Sequence, residues 1–165
     1  MSHICQKCKK SFRKDEVFVI DDKNICVSCI YGKTEPFKMY PIGMVKNGLA
    51  LNSTNFGTSG KKGISCIELL PSQKPFLYKL EEEKYITVVY YLHKSDKVKS
   101  VFHRGLDGKR VGVFASRTPH RLSKIAIQDV KLVKTNGTKL YVEGLDAIDG
   151  SPVIDIKMKW NGEGE

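Results

Sequence analysis

Four of the five cysteines form two Cys-x2-Cys pairs near the N-terminus. Cys5 pairs with Cys8 and Cys26 with Cys29, and seventeen residues separate the pairs. Two residues between paired cysteines let both sulfurs reach one metal ion, and two such pairs complete a tetrahedral shell with no open position for substrate. The spacing predicts one structural zinc ion held by four thiolates; a redox Cys-x2-Cys pair and two disulfides are the alternatives.

The residues between the two pairs predict the elements that position the cysteines. Residues 17–20, Val-Phe-Val-Ile, have the composition of a strand, and residues 21–24 that of a turn leading into the second pair. So short a segment buries too little apolar surface to fold by itself, so metal binding would supply its folding free energy. We therefore expect a zinc-ribbon module over residues 1–36.

Cys66 lies outside both pairs, between apolar neighbours that include Ile64 and Ile67. This setting predicts a small buried hydrophobic residue, with a reactive thiol as the alternative. A chain of 165 residues can build a core without disulfide bridges.

The charge of the chain is positive and unevenly distributed. The formal net charge is +10, and between residues 94 and 124 nine Lys or Arg stand against two Asp, a net of +7. Residues 125–165 carry a net of −2. Such clustering favours a polyanionic partner such as structured RNA, and a merely solvated basic surface is the alternative. The candidate RNA contacts are Lys109, Arg110, Arg121 and Lys124.

Beyond the N-terminal module the chain has the pattern of a β protein. Residues 46–63 are rich in Gly, Asn and Ser and predict a mobile loop. A short helix is expected over residues 75–83, and a β-bulge around residues 129–132. Asp107-Gly108, Asn136-Gly137 and Asp149-Gly150 are turn signals. Strands are expected at residues 86–92, 111–115, 125–132, 140–142 and 153–156, which favours a small barrel or sandwich.

Several classes of protein lack support in this sequence. No apolar run approaches the roughly 20 residues that a membrane span needs. The first cysteine comes so early that we expect no signal peptide and a cytoplasmic location. There is no Gly-x-Gly-x-x-Gly or P-loop motif, so a Rossmann-type nucleotide site is not expected.

From residue 40 onward the chain resembles the TsaA-like, or TrmO, family. Gly112-Val-Phe-Ala-Ser-Arg117-Thr-Pro119-His-Arg121 is similar to one signature of that family. The segment from Leu140-Tyr-Val-Glu-Gly-Leu-Asp146 to Asp155-Ile-Lys157 is similar to another, and the resemblance covers roughly residues 40–160. Residues 121–126 depart from the pattern, because the two prolines, the asparagine and the glycine expected there are absent.

The resemblance implies a TsaA-like β-barrel over residues 37–165. Together with the module expected from the cysteine spacing, the predicted fold is mainly β, a small zinc-ribbon module followed by this barrel. The resemblance also implies a homodimeric methyltransferase that uses S-adenosylmethionine to methylate N6 of threonylcarbamoyl-adenosine beside the anticodon of tRNA. The module lies outside the resemblance and would add a nucleic-acid contact. The implied cofactor-binding residues are His93, Lys94, Arg117, Ile127, Asp146, Ala147, Ile148 and Asp149.

Each polar residue of this set also has a plain structural interpretation. His93 is nominated as the catalytic proton acceptor, and the alternative is a strand-end histidine making one hydrogen bond. Asp146 and Asp149 would bond ribose hydroxyls or face the sulfonium, unless they only cap the turn at Gly150. Arg117 would bind the cofactor carboxylate or a phosphate, unless it is an ordinary surface residue.

Three functions compete at this stage. The first is an RNA methyltransferase acting on tRNA. The second is a non-catalytic relative whose ribbon and basic barrel bind RNA or a protein partner, which the altered residues 121–126 favour. The third is a methyltransferase of the same fold with a small-molecule substrate, against which the basic cluster argues.

Overall fold

A computed structural model describes residues 2–48, 63–160 and 162. Within these ranges the chain forms twelve strands, one short α-helix and four turns of 3-10 helix. The helix is α1 (Val27–Tyr31). The strands are β1 (His3–Ile4), β2 (Ser11–Phe12), β3 (Val17–Ile20), β4 (Lys23–Cys26), β5 (Gly43–Lys46), β6 (Ile64–Leu69), β7 (Tyr85–Tyr91), β8 (Val101–His103), β9 (Arg110–Gly112), β10 (Ile125–Asn136), β11 (Lys139–Glu143) and β12 (Pro152–Met158).

These elements divide into two compact units. The cysteine unit comprises Met1–Lys38 and Ser95–Lys124, and the barrel unit comprises Met39–Lys94 and Ile125–Glu165. The predicted boundary between residues 36 and 37 stays a prediction, but the units in the structure are not contiguous in sequence. None of the helices in the described ranges has the length and apolar character needed to span a bilayer.

The barrel unit is built around a closed six-stranded barrel, which confirms the expected mainly β fold. The strand order is β10-β11-β6-β5-β12-β7, and β7 pairs with β10 to close the ring. All six pairings are antiparallel. The predicted Asn136-Gly137 turn joins β10 to β11, and Gly137 has a φ of 61°, which a glycine adopts without steric cost.

Alternate side chains on these strands point into the barrel and form its core. In β7 the pattern is regular, since Ile86, Val88 and Tyr90 are buried between partly exposed neighbours. This inward set is close-packed, and each aliphatic side chain of it contributes about 1.5–3 kcal/mol by leaving water. The other core residues are Val45, Ile67, Leu69, Val130, Leu132, Leu140, Val142, Leu145, Ala147 and Val153.

One prediction about side-chain direction is wrong. Cys66 was expected in the core, but it is only half-buried, because the inward residues of β6 are Ser65, Ile67 and Leu69. The bulge of β10 lies between Leu132 and Lys134, in its pairing with β11, at the end of the predicted range 129–132. The change of hydrophobic phase has another cause, since Ile127 is 56% exposed while its polar neighbour Gln128 is half-buried.

Two predicted elements also take a different form. In place of a helix over residues 75–83 there are two 3-10 turns, Pro71–Leu77 and Leu80–Glu82. They cannot merge because Lys79 between them has a left-handed backbone with a φ of 62°. The strand expected at residues 111–115 ends at Gly112, and Val113–Ala115 turns into a 3-10 helix.

The cysteine unit combines small antiparallel pairs, β1 with β2, β3 with β4, and β8 with β9. The strand predicted over residues 17–20 is confirmed as β3. The turn predicted over residues 21–24 is shorter, because Lys23 and Asn24 belong to β4 and pair with β3. Ile20 of β3 also forms a parallel bridge with Val98. Val98 is 5% exposed, so the segment Ser95–Lys124 shares its packing with the N-terminal module.

Candidate functional site

Residues 144–151 connect β11 to β12 and carry the polar residues that the resemblance singled out. Two of them, Ala147 and Ile148, are 1% and 6% exposed, so their side chains anchor the connection in the barrel. We call this connection the 144–151 loop. Asp146 and Asp149 are half-buried in it, and each is held by residues from distant parts of the barrel unit.

Gln128 holds the start of the loop through both ends of its amide. Its Nε2 donates to the carbonyl oxygen of Gly144 at 2.6 Å, and its Oε1 accepts from the backbone N–H of Asp146 at 2.8 Å. The hydroxyl of Tyr90 reaches the carbonyl oxygen of Asp146 at 3.4 Å. Burial, followed by the charge of Asp146, raises the pKa of Tyr90 to about 12, so this hydroxyl stays a neutral donor.

Asp149 holds the end of β5 against the other side of the loop. Its Oδ1 accepts from the backbone N–H groups of Asn47 and Gly48 at 2.9 and 3.3 Å. These donations, that of Asn47 first, lower the pKa of the Asp149 carboxyl. The Asn47 side chain adds bonds to Ser65 Oγ at 3.0 Å and to the carbonyl oxygen of Ala147 at 2.7 Å.

His93 lies just after β7 and faces the far end of the same loop. Its Nδ1 is 3.5 Å from Ser151 Oγ, and a Cβ built on Gly150 would sit 3.8 Å from its Nε2. Burial, and then the charge of Lys94, lowers the pKa of the imidazole. The ring is therefore mainly neutral near pH 7, which is the form that accepts a proton.

The other predicted cofactor residues fall into two groups. Lys94 is exposed next to His93, and the side chain of Ile127 points outward from β10. Arg117 is exposed and belongs to the cysteine unit rather than the barrel unit. His93 and Lys94 thus lie near Asp149 of the 144–151 loop, whereas Ile127 faces outward and Arg117 belongs to a separate compact unit.

The four predicted RNA contacts all lie in the cysteine unit, but they differ in availability. Lys109 and Arg110 are exposed. The guanidinium of Arg121 instead donates to the carbonyl oxygens of Thr118 at 3.0 Å and Ser116 at 2.7 Å. The side chain of Lys124 is 20% exposed and lies 3.8 Å from Asp96.

The four N-terminal cysteines converge as predicted. Their sulfurs all lie within 4.8 Å of one another, with Cys5 Sγ 3.9 Å from Cys29 Sγ and Cys8 Sγ 3.8 Å from Cys26 Sγ. The backbone N–H of Cys26 donates to Cys5 Sγ at 3.3 Å. Burial acts to raise the pKa of Cys5, but backbone amides of the two knuckles outweigh it and lower the pKa to about 6.

Gln128, Asn47, Tyr90 and Ser151 were not among the predicted site residues. Gln128 carried a usable signal, because it is a polar residue at an inward position of a strand that is otherwise apolar there. Asn47 carried none, since its partners Ser65 and Ala147 are 18 and 100 residues away.

The lowered pKa of His93 predicts a pH dependence of stability. The folded imidazole has a lower pKa than the unfolded one, whose value is 6.5, so below that pH the unfolded chain takes up the proton more readily. The free energy of unfolding should therefore fall as the pH drops below 6.5. His93→Gln should remove that part of the decrease in urea titrations from pH 8 to pH 5. Equal curves for the two proteins would show that the imidazole titrates normally.

Comparison with known proteins finds a matching family model and several relatives. Residues 56–161 match the family model of the tRNA-methyltransferase O N-terminal domain. A probable S-adenosyl-L-methionine-binding protein of Pyrococcus horikoshii is 31% identical over 132 residues, which are 76% of this chain and 85% of that protein. A mouse tRNA (adenine(37)-N6)-methyltransferase is 38% identical over 81 residues, 47% of this chain and 19% of its own length.

The fold is also found in a solved structure. A crystal structure of TrmO from P. aeruginosa superimposes with a TM-score of 0.62 at 24% identity, covering 78% of this chain and 57% of that chain. Several relatives are much longer than this protein, which spans 19% of the mouse enzyme and 25% of a relative from Archaeoglobus fulgidus. The extent of the family match is decisive: this chain belongs to the tRNA-methyltransferase O N-terminal domain family.

Proposed function

We propose that this protein is an S-adenosylmethionine-dependent methyltransferase that acts on tRNA. The supporting observation is the 144–151 loop, which Gln128 and Asp149 hold beside His93 within the segment that matches the family. The proposed target is N6 of the threonylcarbamoyl-modified adenosine beside the anticodon. A homodimer and a cytoplasmic location are parts of the same proposal, because the resemblance implies the first and a tRNA substrate the second.

The chemistry of the residues around the loop fits this cofactor. S-adenosylmethionine presents a sulfonium cation, ribose hydroxyls and an amino-acid zwitterion. The carboxylates of Asp146 and Asp149 complement the cation and the hydroxyls, and the ammonium of Lys94 complements the cofactor carboxylate. Asp149 uses Oδ1 for the backbone of residues 47 and 48, and its Oδ2 accepts no hydrogen bond that is seen within the described residues.

When bound, the cofactor supplies an electrophilic methyl group. The role of the protein is then to orient the amine and to accept its proton. In the tautomer whose Nδ1–H donates to Ser151 Oγ, 3.5 Å away, the Nε2 of His93 is left as the proton acceptor. The exposed Arg117 stays the proposed partner of a carboxylate or phosphate.

We propose in addition that the four cysteines bind one structural zinc ion. Zinc–sulfur bonds of about 2.3 Å in a tetrahedron give sulfur–sulfur edges of about 3.8 Å, and the two closest pairs measure 3.9 and 3.8 Å. Four sulfurs leave no position open for a substrate, so the ion would have a structural role.

A non-catalytic RNA-binding protein on the same fold is the second candidate. It is favoured by residues 121–126, where the guanidinium of Arg121 is committed to backbone carbonyls and Lys124 has a left-handed backbone with a φ of 53°. Cofactor binding distinguishes the two candidates.

Isothermal titration with S-adenosylmethionine is expected to give a measurable heat of binding. Gln128→Ala should weaken the affinity about tenfold, since it removes two hydrogen bonds of about 0.5–1.5 kcal/mol each from the loop. Arg117→Ala should weaken it by roughly 10- to 100-fold if the guanidinium makes a charge-assisted bond. Gln73→Ala, on the 3-10 turn Pro71–Leu77, is the control and should bind like the wild type.

The outcomes separate the candidates. If millimolar cofactor gives no heat with wild-type protein, the methyltransferase proposal fails and the RNA-binding candidate replaces it. If the cofactor binds but tRNA from a host lacking this modification takes up no labelled methyl group, the substrate proposal alone is wrong.

A further inference from the structure

Nearly all of the net charge of this protein lies on the cysteine unit. Met1–Lys38 and Ser95–Lys124 together contain sixteen Lys and Arg against seven Asp and Glu, a net of +9 before any metal binds. The barrel unit contains twelve against eleven, a net of +1. The basic segment and the N-terminal module, which are far apart in sequence, therefore form one cationic body.

The cations of the two units also differ in how they are neutralised. Among the described residues of the cysteine unit only three form ion pairs, namely Arg13, Arg104 and Lys124. The barrel unit pairs five of its ten described cations, of which Lys131 and Lys139 pair across neighbouring strands. The five are Lys79, Lys131, Lys139, Lys157 and Lys159. The barrel surface is thus largely self-neutralised, whereas most cations of the cysteine unit remain available for a partner.

The turn between β3 and β4 joins the two parts of the cysteine unit. The carboxylate of Asp21 accepts from the backbone N–H of Ser100 at 2.9 Å and from the Ser100 hydroxyl. The backbone N–H of Asp21 donates to the carbonyl oxygen of Val98 at 3.0 Å, and that of Val98 donates to Val19 at 3.2 Å. Val98 thus pairs with β3 through a single parallel bridge, and the side chain of Asp21 holds Ser100, two residues further on.

We propose that the N-terminal module and the segment Ser95–Lys124 contact RNA as one continuous surface, with Asp21 as the positioning residue that joins them. This inference rests on the proposed function, because the partner is the proposed substrate class. The module, which lies outside the family match, thereby gains a role. It supplies cations of its own, and it holds the segment that carries Lys109 and Arg110.

The composition of this surface favours RNA over an acidic protein. Exposed aromatic side chains are interspersed with the unpaired cations, including Phe37 at 80% and Phe114 at 87% exposure. Lysines contact phosphates and aromatic rings stack on unpaired bases, a combination typical of surfaces that bind single-stranded regions of RNA. An acidic protein would need the cations but not the stacking surfaces.

The test compares two adjacent aspartates in the same turn. Asp21 and Asp22 both have left-handed backbones, with φ of 47° and 63°. Replacing either with alanine removes one negative charge and so makes the net charge of the protein more positive by one. If only the overall field mattered, both variants would bind a fluorescent tRNA transcript slightly more tightly. We expect Asp21→Ala to bind tRNA about fivefold more weakly, because the hydrogen bonds from Ser100 to the Asp21 carboxylate no longer hold the segment that carries Lys109 and Arg110. Asp22→Ala should bind no more weakly than the wild type.

Conservative variants show that the effect is one of positioning. Asp21→Asn tolerates the left-handed backbone and can still accept from the Ser100 N–H, so it should bind nearly as well as the wild type. Asp21→Ala should retain its zinc, because Asp21 is not one of the four grouped cysteines. Equal tRNA affinity of Asp21→Ala and Asp22→Ala would overturn the inference.

A second set of variants does not depend on the turn. Lys9, Lys10 and Lys14 are exposed cations of the module, and changing all three to Gln should reduce the slope of log affinity against log salt by about 0.7–0.9 per lost phosphate contact. Lys84, Lys134 and Lys157 of the barrel unit, changed together, are the matched control. A module triplet that behaves like this control would exclude the module from the RNA surface while leaving the methyltransferase proposal intact. A wild-type protein that neither binds nor methylates tRNA would instead contradict the proposed function.

Discussion

Cys26→Ser is expected to abolish zinc binding and to unfold the N-terminal module, whereas wild-type protein is expected to carry one zinc ion per chain. Structural zinc contributes about 10–16 kcal/mol in isolated zinc-finger peptides, and the strands of this module are only two to four residues long. Cys26 is also 1% exposed, so the change leaves three thiols around a hydroxyl in a buried place. Elemental analysis gives the metal content, and limited proteolysis within residues 2–38 reports unfolding.

Cys66→Ser is the control for this experiment. Cys66 is half-buried on β6, and it lies outside the group of four sulfurs, so its replacement should leave the zinc content unchanged. Native wild-type protein without metal, or a Cys26→Ser protein that retains a full equivalent of zinc, would refute the proposed site.

Gly43→Ala is expected to destabilise the barrel unit severely. Gly43 begins β5 where that strand passes closest to β6, and a Cβ there would lie 2.5 Å from the carbonyl oxygen of Glu68 and 2.8 Å from Leu69 Cα. Both atoms belong to the backbone of a paired strand, so they cannot move without breaking the barrel ladder. Overpacking costs typically about 1–3 kcal/mol and occasionally more, and we expect a loss above that range.

Urea unfolding followed by circular dichroism measures this loss. Gly105→Ala is the matched control, because a Cβ at Gly105 would meet no atom within 4 Å and its backbone does not require a positive φ. A Gly43→Ala protein with the midpoint of the wild type would mean that β5 and β6 can separate at little cost.

Where the information was local, the sequence predicted this protein well. The cysteine spacing specifies a four-sulfur cluster because each pair closes over two residues, and the structure confirms that the four sulfurs converge. The Asn136-Gly137 turn and the strand β7 were also predicted, because turn geometry and strand formation depend on neighbouring residues. The loop over residues 46–63 was predicted as well, but residues 49–62 lie outside the part of the chain that the structure describes.

Where two distant segments had to meet, only the tertiary structure decided the outcome. Closure of the barrel turned Gln128 inward and Cys66 outward, since alternation shows which residues share a face but not which face is buried when both are half apolar. The same closure brought Asp149 to the amides of Asn47 and Gly48, about a hundred residues away. The sequence pattern did not predict that Ser95–Lys124 belongs to the same compact unit as the four cysteines, because that placement depends on the hydrogen bonds of Asp21 with Val98 and Ser100. The cysteine spacing and the composition of the chain therefore determined its four-sulfur cluster and its charge, and its folding determined which residues share each site.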